Sequence, residues 1–360
     1  MGVENLPLSL KSSVTALLAL GSLMGGGIAA ANAADTMPAH PRFMHPPALN
    51  PEARLPTSTI PLWTFNFRHK KVKYHDEFVG NPPTGAAVTI PSFVIPLKFV
   101  LSNGSVFTTT TVQSNGQTAL ANTVNSPVFQ STVDFTEAGA DLGKTQYIDA
   151  FRRESYWPTV LTNPGYHVLL GAPTVLPEYT LKVPKADGTT GTEFGAKVAL
   201  ISYGWLSAQL PAIIASYSQI TPNGLAVIAS YNTYETSGGC CIGGWHGANG
   251  SQTFTYFSYV GTAGAFSQDV SALTHEVGEW LDDPYIENQT STSTPCGYWE
   301  TGDPLENEPN YGSTAYVVDG TTYNLQDLAQ PPYFGAPAAT TLNGRATFQG
   351  VPLKVCQNGG

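Results

Sequence analysis

Apolar and polar residues alternate with a period of two along much of the first half of the chain. Three segments, at 63–78, 86–112 and 166–184, show this alternation with many β-branched and aromatic residues, and turn-forming residues separate them. The alternation predicts β-strands, with a hairpin turn at Asn103-Gly104. Residues 143–157 interrupt it and predict a short helix.

The second half of the chain mixes strand and helix patterns. Residues 195–217 predict a strand followed by a helix, and residues 224–235 predict a strand. Gly-rich residues 236–252 predict a loop, and residues 253–260 predict the next strand. A helix from about Ser267 to Asp283 follows. This order indicates an α+β fold with a mixed β-sheet, preceded by a β-rich part.

The first 33 residues have the features of a cleavable export signal. Lys11 precedes an apolar stretch from Val14 to Met24, and residues 31–33 fit the small-x-small pattern of a cleavage site. The apolar stretch is too short to span a bilayer as a helix. We therefore expect a secreted protein that is cleaved near Ala33 and is not inserted in a membrane.

The pattern also predicts the organisation of the rest of the chain. Residues 34–60 are rich in proline and lack periodic apolar positions, which predicts an extended arm or linker. Residues 61–360 are expected to form a single domain, with a β-rich part at 61–194 and a second half at 195–360. Hydrophobic residues make up 42% of the 360-residue chain, so a large core can be buried.

Charge and composition exclude one class of partner. Charged residues are only 12% of the chain, so Ser, Thr, Asn, Gln and Gly must cover much of the surface. The net charge is −10, and the densest basic cluster, Lys70, Lys71 and Lys73, is expected on a solvated strand edge. Arg152 and Arg153 are expected on a solvated helix face. No basic surface for nucleic acid is therefore predicted.

Four cysteines suit an oxidising compartment. Cys240 and Cys241 are adjacent, whereas Cys296 and Cys356 are distant. A bridge between neighbouring residues is strained, so we expect Cys240 and Cys241 each to pair with one of the other two. Of the three pairings that four cysteines allow, two fit this expectation, and the sequence does not choose between them.

The helix predicted at 267–283 has two contrasting faces. Ser267 or Asp269 is its expected N-cap, and Pro284 ends it. The apolar face consists of Val270, Leu273, Val277, Trp280 and Leu281. The opposite face consists of His275, Glu276, Glu279, Asp282 and Asp283. Its four carboxylates repel one another and have no Lys or Arg at i+4. A bound cation would remove that repulsion.

Three residues of the polar face have the spacing of a metal site. His275 and Glu279 lie one helical turn apart, so both side chains can bind one ion. Glu276 lies beside them, where a carboxylate can take a proton from metal-bound water. A third protein ligand must come from elsewhere, which leaves a fourth position open for water.

This His-Glu-x-x-Glu segment resembles the zinc-binding helix of the thermolysin-like branch of the zincin metallopeptidases, which has His at the position of Glu279. That branch has a further Glu ligand downstream, followed by an Asp that orients a ligand histidine. Here Glu300 lies 21 residues after Glu279, and Asp303 lies three residues beyond Glu300.

A closer similarity is to secreted bacterial relatives of the plant phosphate-induced, EXORDIUM-like family. It rests on the segments CCIGGWHG, SALTHEVGEWLDDP and WETGDPLE, in that order, within about residues 140–320. His-Glu-x-x-Glu is the usual form in such proteins. Their Gly-Trp-His element maps onto residues 244–246, which makes His246 a candidate metal ligand or transition-state donor. The alternative is a loop histidine that is hydrogen-bonded to backbone.

The two resemblances imply a zincin-like domain at 61–360 whose metal site lies in the half from 195. The implied ligands are His275, Glu279 and Glu300. Asp303 and Asp283 are expected to hold the ligands in place. Two carboxylates and one imidazole nearly neutralise a dication, so Mn²⁺ or Ca²⁺ competes better with Zn²⁺, which is the first choice.

These residues favour a secreted metal-dependent hydrolase that acts on peptides or proteins, with Glu276 as general base and His246 as a second catalytic candidate. The alternative class is a non-catalytic extracellular binding or signalling protein with a structural metal. A third class is carbohydrate binding through aromatic side chains. We expect instead that these side chains pack in the core: Trp245, Trp280, Tyr298 and Trp299. The sequence leaves the oligomeric state open.

Overall fold

A computed structural model describes residues 42–44 by their backbone, and residues 60–69, 71–137, 139–288 and 299–354 in full apart from the side chain at 339. The predicted signal peptide, most of the predicted arm, and Cys296, Tyr298 and Cys356 lie outside these residues. The described residues form a mixed α+β structure that is richest in strand.

The strands of the described residues, numbered in chain order, are β1 (Arg42–Met44), β2 (Leu62–His69), β3 (Val72–Val79), β4 (Val88–Ile90), β5 (Ser92–Leu101), β6 (Val106–Thr108), β7 (Val133–Glu137), β8 (Ala140–Thr145), β9 (Val168–Leu170), β10 (Thr174–Val175), β11 (Tyr179–Val183), β12 (Gly188–Glu193), β13 (Ala196–Ser202), β14 (Leu225–Tyr231), β15 (Thr233–Thr236), β16 (Cys240–Asn249), β17 (Gln252–Tyr259), β18 (Ser313–Val318) and β19 (Thr321–Gln326).

The α-helices of the same residues are α1 (Ala119–Val124), α2 (Tyr147–Ser155), α3 (Trp157–Val160), α4 (Tyr203–Ala215) and α5 (Ser271–Asp282). Short 3-10 helices lie at Asp303–Leu305, Pro309–Gly312, Pro331–Phe334, Ala338–Thr340 and Leu342–Gly344. In the part of the chain covered by the structure, no helix is long and apolar enough to cross a membrane.

Eleven of the described strands form one mixed sheet. Its main path runs in the order β10, β5, β14, β17, β16, β15, β13 and β12, while β1 pairs with β16, and β6 and β11 pair with β5. The neighbours β5, β14 and β17 are parallel, whereas β16 is antiparallel to both β17 and β15. The pairs β2–β3, β4–β9, β7–β8 and β18–β19 lie outside this sheet.

Alternating side chains give the sheet two buried faces. In β14, Val227 and Ala229 belong to the core that includes α2 and α5, whereas Ala226 and Ile228 belong to the core that includes α4. Five consecutive residues of this strand are therefore buried and apolar. A sheet covered on both faces explains why its central strands have nearly continuous apolar sequences.

Several predicted elements are confirmed. The hairpin at Asn103-Gly104 joins β5 to β6, and Gly104 has a φ of +84°, which glycine adopts without strain. The strand and helix predicted within 195–217 are β13 and α4, and the short helix predicted within 143–157 is α2.

The prediction of a loop at 236–252 is wrong, because this segment contains β16 in the interior of the sheet. The loop was predicted from the glycines of this segment, because glycine is depleted in strands. Here glycine allows a helix to approach closely. A Cβ on Gly244 would lie 2.7 Å from Glu276 Oε1 on α5 and 2.9 Å from the carbonyl oxygen of Tyr256.

The helix predicted from about Ser267 to Asp283 begins four residues later and spans Ser271–Asp282. Neither expected residue caps it, because Val270 occupies the N-cap position. Asp269 instead accepts hydrogen bonds from the backbone and side-chain amides of Asn324 in β19, so it joins the helix start to that strand. The helix ends before Pro284, as predicted.

The expectation that Arg152 and Arg153 are solvated is wrong, because both side chains are buried. Arg152 Nη1 lies 2.7 Å from Asp282 Oδ1, and Nη2 donates to the carbonyl oxygen of Leu281 at 2.8 Å. Arg153 donates to two backbone carbonyls, the nearer being Tyr166 O at 2.7 Å. The partners of Arg152 lie about 130 residues away and those of Arg153 lie 11 and 13 residues away, so helical spacing did not indicate them.

The expected cysteine pairing is also corrected. Cys240 and Cys241 form a disulfide with each other. Each sulfur finds its partner on the neighbouring residue at the start of β16, so neither is available to Cys296 or Cys356, which lie outside the described residues.

The Arg152–Asp282 pair yields a stability prediction. Replacing Asp282 with Asn leaves a fully buried guanidinium without its counter-charge, so we expect a loss of about 3–5 kcal/mol in unfolding free energy. Urea denaturation measures this. The exposed Asp134→Asn control is expected to change stability by less than about 0.5 kcal/mol. Equal effects in the two variants would contradict the importance of the pair.

Glu154 of α2 yields a pH prediction. Its side chain is buried, and burial, with the nearby Asp327 and Glu137, raises its pKa from 4.5 to about 10. The folded state therefore holds this proton more tightly than the unfolded state. Its contribution to stability is complete below pH 4.5 and is lost as the pH rises towards 10.

We expect Glu154→Gln to match the wild type in acid and to lose less stability than the wild type as the pH rises through this range. Chemical denaturation at a series of pH values measures the difference. Parallel profiles for the two proteins would show that Glu154 titrates normally.

Candidate metal centre

Every residue of α5 is buried, including the whole polar face of the helix. The apolar face lies in the core, as its spacing predicted. The polar face is directed at β16, at the segment from Trp299 to Glu306 and at β19 rather than at solvent. Helix α5 therefore carries buried carboxylates, which are costly unless a cation or hydrogen bonds compensate them.

His246 reaches this face from β16. It lies opposite Thr255 of β17 in the sheet, and alternation places the preceding Trp245 in the core on the other face. His246 Nδ1 lies 3.4 Å from Glu279 Oε2 and 3.6 Å from Glu276 Oε2. It lies 4.0 Å from Glu300 Oε2. The strand thus brings an imidazole nitrogen among three carboxylates.

His275 faces a second group of carboxylates. Its Nε2 lies 2.9 Å from Glu279 Oε1 and 3.4 Å from Asp303 Oδ1. Asp303 Oδ1 and an oxygen of Glu306 also lie within 4.8 Å of each other and of a His275 nitrogen. Glycine at position 302 makes this approach feasible, because a Cβ there would collide with the His275 ring.

Each imidazole is held in place by a hydrogen bond through the ring nitrogen that faces away from the carboxylates. His246 Nε2 donates to the carbonyl oxygen of Asp283 at 3.0 Å. His275 Nδ1 donates to Gln326 Oε1, and Gln326 Nε2 in turn donates to the carbonyl oxygen of Tyr311 at 3.1 Å, which fixes the amide orientation. These bonds leave His246 Nδ1 and His275 Nε2 directed at the carboxylates, as metal-binding histidines require.

The electrostatics of the centre are strongly coupled. Burial raises the pKa of Glu276 to about 8, although both histidines act against this shift. Burial alone would also raise the pKa of Glu279, but His275 and His246 lower it to about 2. Burial alone would lower the pKa of both histidines, and the surrounding carboxylates instead raise it well above its usual value. Each imidazole therefore strongly attracts a proton or a metal ion.

The donor atoms fit a metal ion. At this centre, three groups have ligand atoms within 4.8 Å of one another: His246 with Glu279 and Glu300, His275 with Glu276 and Glu279, and His275 with Asp303 and Glu306. His246 Nδ1 and both carboxyl oxygens of Glu276 are buried without a hydrogen-bond partner among the described residues. Orphaned polar atoms of this kind are rare in proteins unless a ligand satisfies them.

The structure brings the predicted residues together. His275, Glu276, Glu279, Glu300 and Asp303 all border one centre, and His246 joins them from β16. Asp303 was expected to orient a histidine, but it faces the same nitrogen of His275 as Glu279 does. Asp283 supports His246 through its backbone carbonyl, while its side chain accepts hydrogen bonds from the backbone N–H groups of Glu287 and Asn288.

The sequence analysis missed two residues of the centre, Gln326 and Glu306. Glu306 is the last residue of the WETGDPLE segment, where only Glu300 and Asp303 had matched a known ligand pattern. Gln326 lies 51 residues from His275, in a strand without any motif. Gln326 reaches the centre because β19 pairs with β18 and lies beside α5.

The aromatic residues proposed for carbohydrate binding have a different environment. Trp245, Trp280 and Trp299 are fully buried in the core. Trp299 packs edge-on against Phe78 and at a tilt against Phe334, and its Nε1 donates to Asp76 Oδ2 at 2.6 Å. The expectation of core packing is confirmed for these three tryptophans, and Tyr298 lies outside the described residues.

Comparisons with protein-family models, with curated proteins and with solved structures found no match to this chain. The assignment of the centre therefore rests on its own residues.

Gly302 provides a test of how closely the centre is packed. In Gly302→Ala, the added Cβ would contact the His275 ring and lie 2.7 Å from Gln326 Oε1, so we expect His275 to shift and metal affinity to fall at least tenfold. Metal titration of the variant measures this. Gly204→Ala, at an exposed helix position with open space around it, is the matched control. Unchanged affinity in both variants would contradict the fit.

Proposed function

We propose that this chain is a secreted metal-dependent hydrolase with a zincin-like scaffold, and that it cleaves peptide bonds. The observation that carries the proposal is the pair of histidines with fixed outer nitrogens and inner nitrogens directed at buried carboxylates. The resemblance of the His-Glu-x-x-Glu helix to the zincin metallopeptidases supports the same class, and the resemblance to EXORDIUM-like proteins supports the secreted, zincin-like scaffold.

His275, Glu279, Glu300 and His246 would hold the ion, with Asp303 beside them. A divalent cation there would lower the pKa of a bound water and polarise a substrate carbonyl. Zn²⁺ is the first choice for a site with two imidazoles, and the oxygen-rich remainder suits Mn²⁺ or Ca²⁺ better than the usual zincin site does.

Glu276 is suited to proton transfer. It follows His275 on the helix, and neither of its oxygens is engaged in a hydrogen bond within the described residues. In this proposal its carboxylate takes a proton from the attacking water and returns it to the leaving amine. Gly244, directly across from it, leaves the room that this carboxyl group occupies.

Access to the centre lies on the side of Asp303, whose side chain is 35% exposed, whereas His246 and His275 are 0% exposed. A substrate carbonyl would therefore approach past the 300–306 segment. Peptides and proteins are the proposed substrates, and nucleic acid is unsuitable for a chain with a net charge of −10.

A second candidate is a non-catalytic extracellular binding protein in which the metal serves structure. The burial of His246, His275, Glu276 and Glu279 favours it, because structural metal sites are closed whereas catalytic sites keep an open position. The two candidates share the metal and differ in the role of Glu276.

Glu276→Gln separates the two candidates. If Glu276 is the general base, the variant keeps its metal and its melting temperature but loses at least about 100-fold in cleavage rate of a peptide library. Glu308→Gln, in the half-buried segment that follows the ligands, is the matched control with normal activity. His275→Ala should lose the metal.

Elemental analysis accompanies the cleavage assay. Metal in the wild type, together with an absence of cleavage in all proteins, would support the structural candidate. Equal cleavage by the wild type and Glu276→Gln would refute the role of Glu276.

A further inference from the structure

We propose that the centre holds two divalent cations, with Glu279 as the carboxylate that bridges them. The inference rests on the proposed metal site and specifies its composition. One ion would lie beside His246 and the other beside His275. Mn²⁺ and Zn²⁺ are the ions whose ligand preferences match this mixture of imidazole and carboxylate donors.

The two oxygens of Glu279 face different histidines. Oε1 lies 2.9 Å from His275 Nε2, and Oε2 lies 3.4 Å from His246 Nδ1. The two imidazoles reach this carboxylate from separate elements, α5 and β16. Each is fixed by a hydrogen bond through its other ring nitrogen. Glu279 therefore stands between two nitrogen donors, one for each of its oxygens.

Each histidine has carboxylates of its own. Apart from Glu279 and the proposed base Glu276, His246 Nδ1 has Glu300 Oε2 at 4.0 Å. His275 Nε2 has Asp303 Oδ1 at 3.4 Å, and a carboxyl oxygen of Glu306 belongs to the same group of ligand atoms. The donors thus separate into two sets that share Glu279.

One distance in each set suits two ligands of a common ion: His246 Nδ1 to Glu279 Oε2 and His275 Nε2 to Asp303 Oδ1, each 3.4 Å. Two donor atoms bonded to one ion at about 2.0–2.1 Å are roughly 3.0–3.4 Å apart. Charge-assisted hydrogen bonds between nitrogen and a carboxylate are shorter, about 2.7–2.9 Å. His246 Nδ1 lies beyond that range from both Glu279 and Glu276, and it is buried without a hydrogen-bond partner among the described residues.

A bridging role also gives a reason for Glu at position 279. An imidazole there would present a single nitrogen to one ion. A carboxylate has two oxygens and can join two ions about 3.5–4 Å apart, the separation found in two-metal hydrolytic sites. The exchange of His for Glu in the helix motif would then add a metal position rather than weaken the existing one.

Mn²⁺ titration tests the proposal. The full-length secreted protein is freed of metal with a chelator and titrated with Mn²⁺ alone, and electron paramagnetic resonance measures both free Mn²⁺ and the spectrum of the bound ions. We expect two equivalents in the wild type, with the spin-coupled spectrum of a close pair. Glu308→Gln, the control, should behave identically.

Three variants address the two positions separately. Glu300→Gln should lose the ion beside His246, and Asp303→Asn should lose the ion beside His275, so each retains one equivalent without spin coupling. Glu279→His should bind at most one ion. A melting temperature close to that of the wild type shows that a variant is folded.

The outcomes distinguish this proposal from the one on which it rests. One equivalent in the wild type, with the spectrum of an isolated ion, overturns the two-ion centre and leaves the single-metal hydrolase intact. No binding of Mn²⁺ or of Zn²⁺ overturns both. Two equivalents without spin coupling, or two equivalents in Glu279→His, overturn the bridging role of Glu279.

Discussion

The burial of an acidic helix face is the constraint on which this structure depends. Three carboxylates of α5 and that of the following Asp283 are removed from solvent, and such burial costs several kcal/mol for each charge that remains uncompensated. The protein meets this cost differently at the two ends of the face. Near the C-terminal end, the guanidinium of Arg152 pairs with Asp282. In the middle, two imidazoles approach Glu276 and Glu279 at distances that suit a shared cation.

The same constraint accounts for features that are unfavourable when each is considered alone. A Gly-rich strand is weak by propensity, yet β16 lies within the sheet because Gly244 leaves space for Glu276. Gly302 similarly leaves space for the ring of His275 and for the Gln326 side chain that binds its Nδ1. These glycines lower local stability around α5, and they allow strands and loops to enclose its polar face.

Local patterns were sufficient for part of this arrangement. The two faces of α5 follow from spacing along the chain, because helix geometry repeats every few residues. Glu300 was expected from the resemblance to the zincin metallopeptidases. The contact between Arg152 and Asp282 and the support of His275 by Gln326 join segments far apart in sequence, so no local pattern contains them. The disulfide within the Cys240-Cys241 pair was not expected, because a bridge between neighbouring residues is strained.

The support of His275 by Gln326 has a consequence for the order in which the molecule forms. The donors of the centre come from β16, α5 and the 300–306 segment, but the residue that fixes the His275 ring arrives with β19, near the end of the chain. A chain that has folded only as far as α5 already contains the acidic helix and lacks the support that aligns its histidine. A cation bound in the final geometry would therefore enter late in folding, and it would close a nearly complete molecule rather than nucleate it.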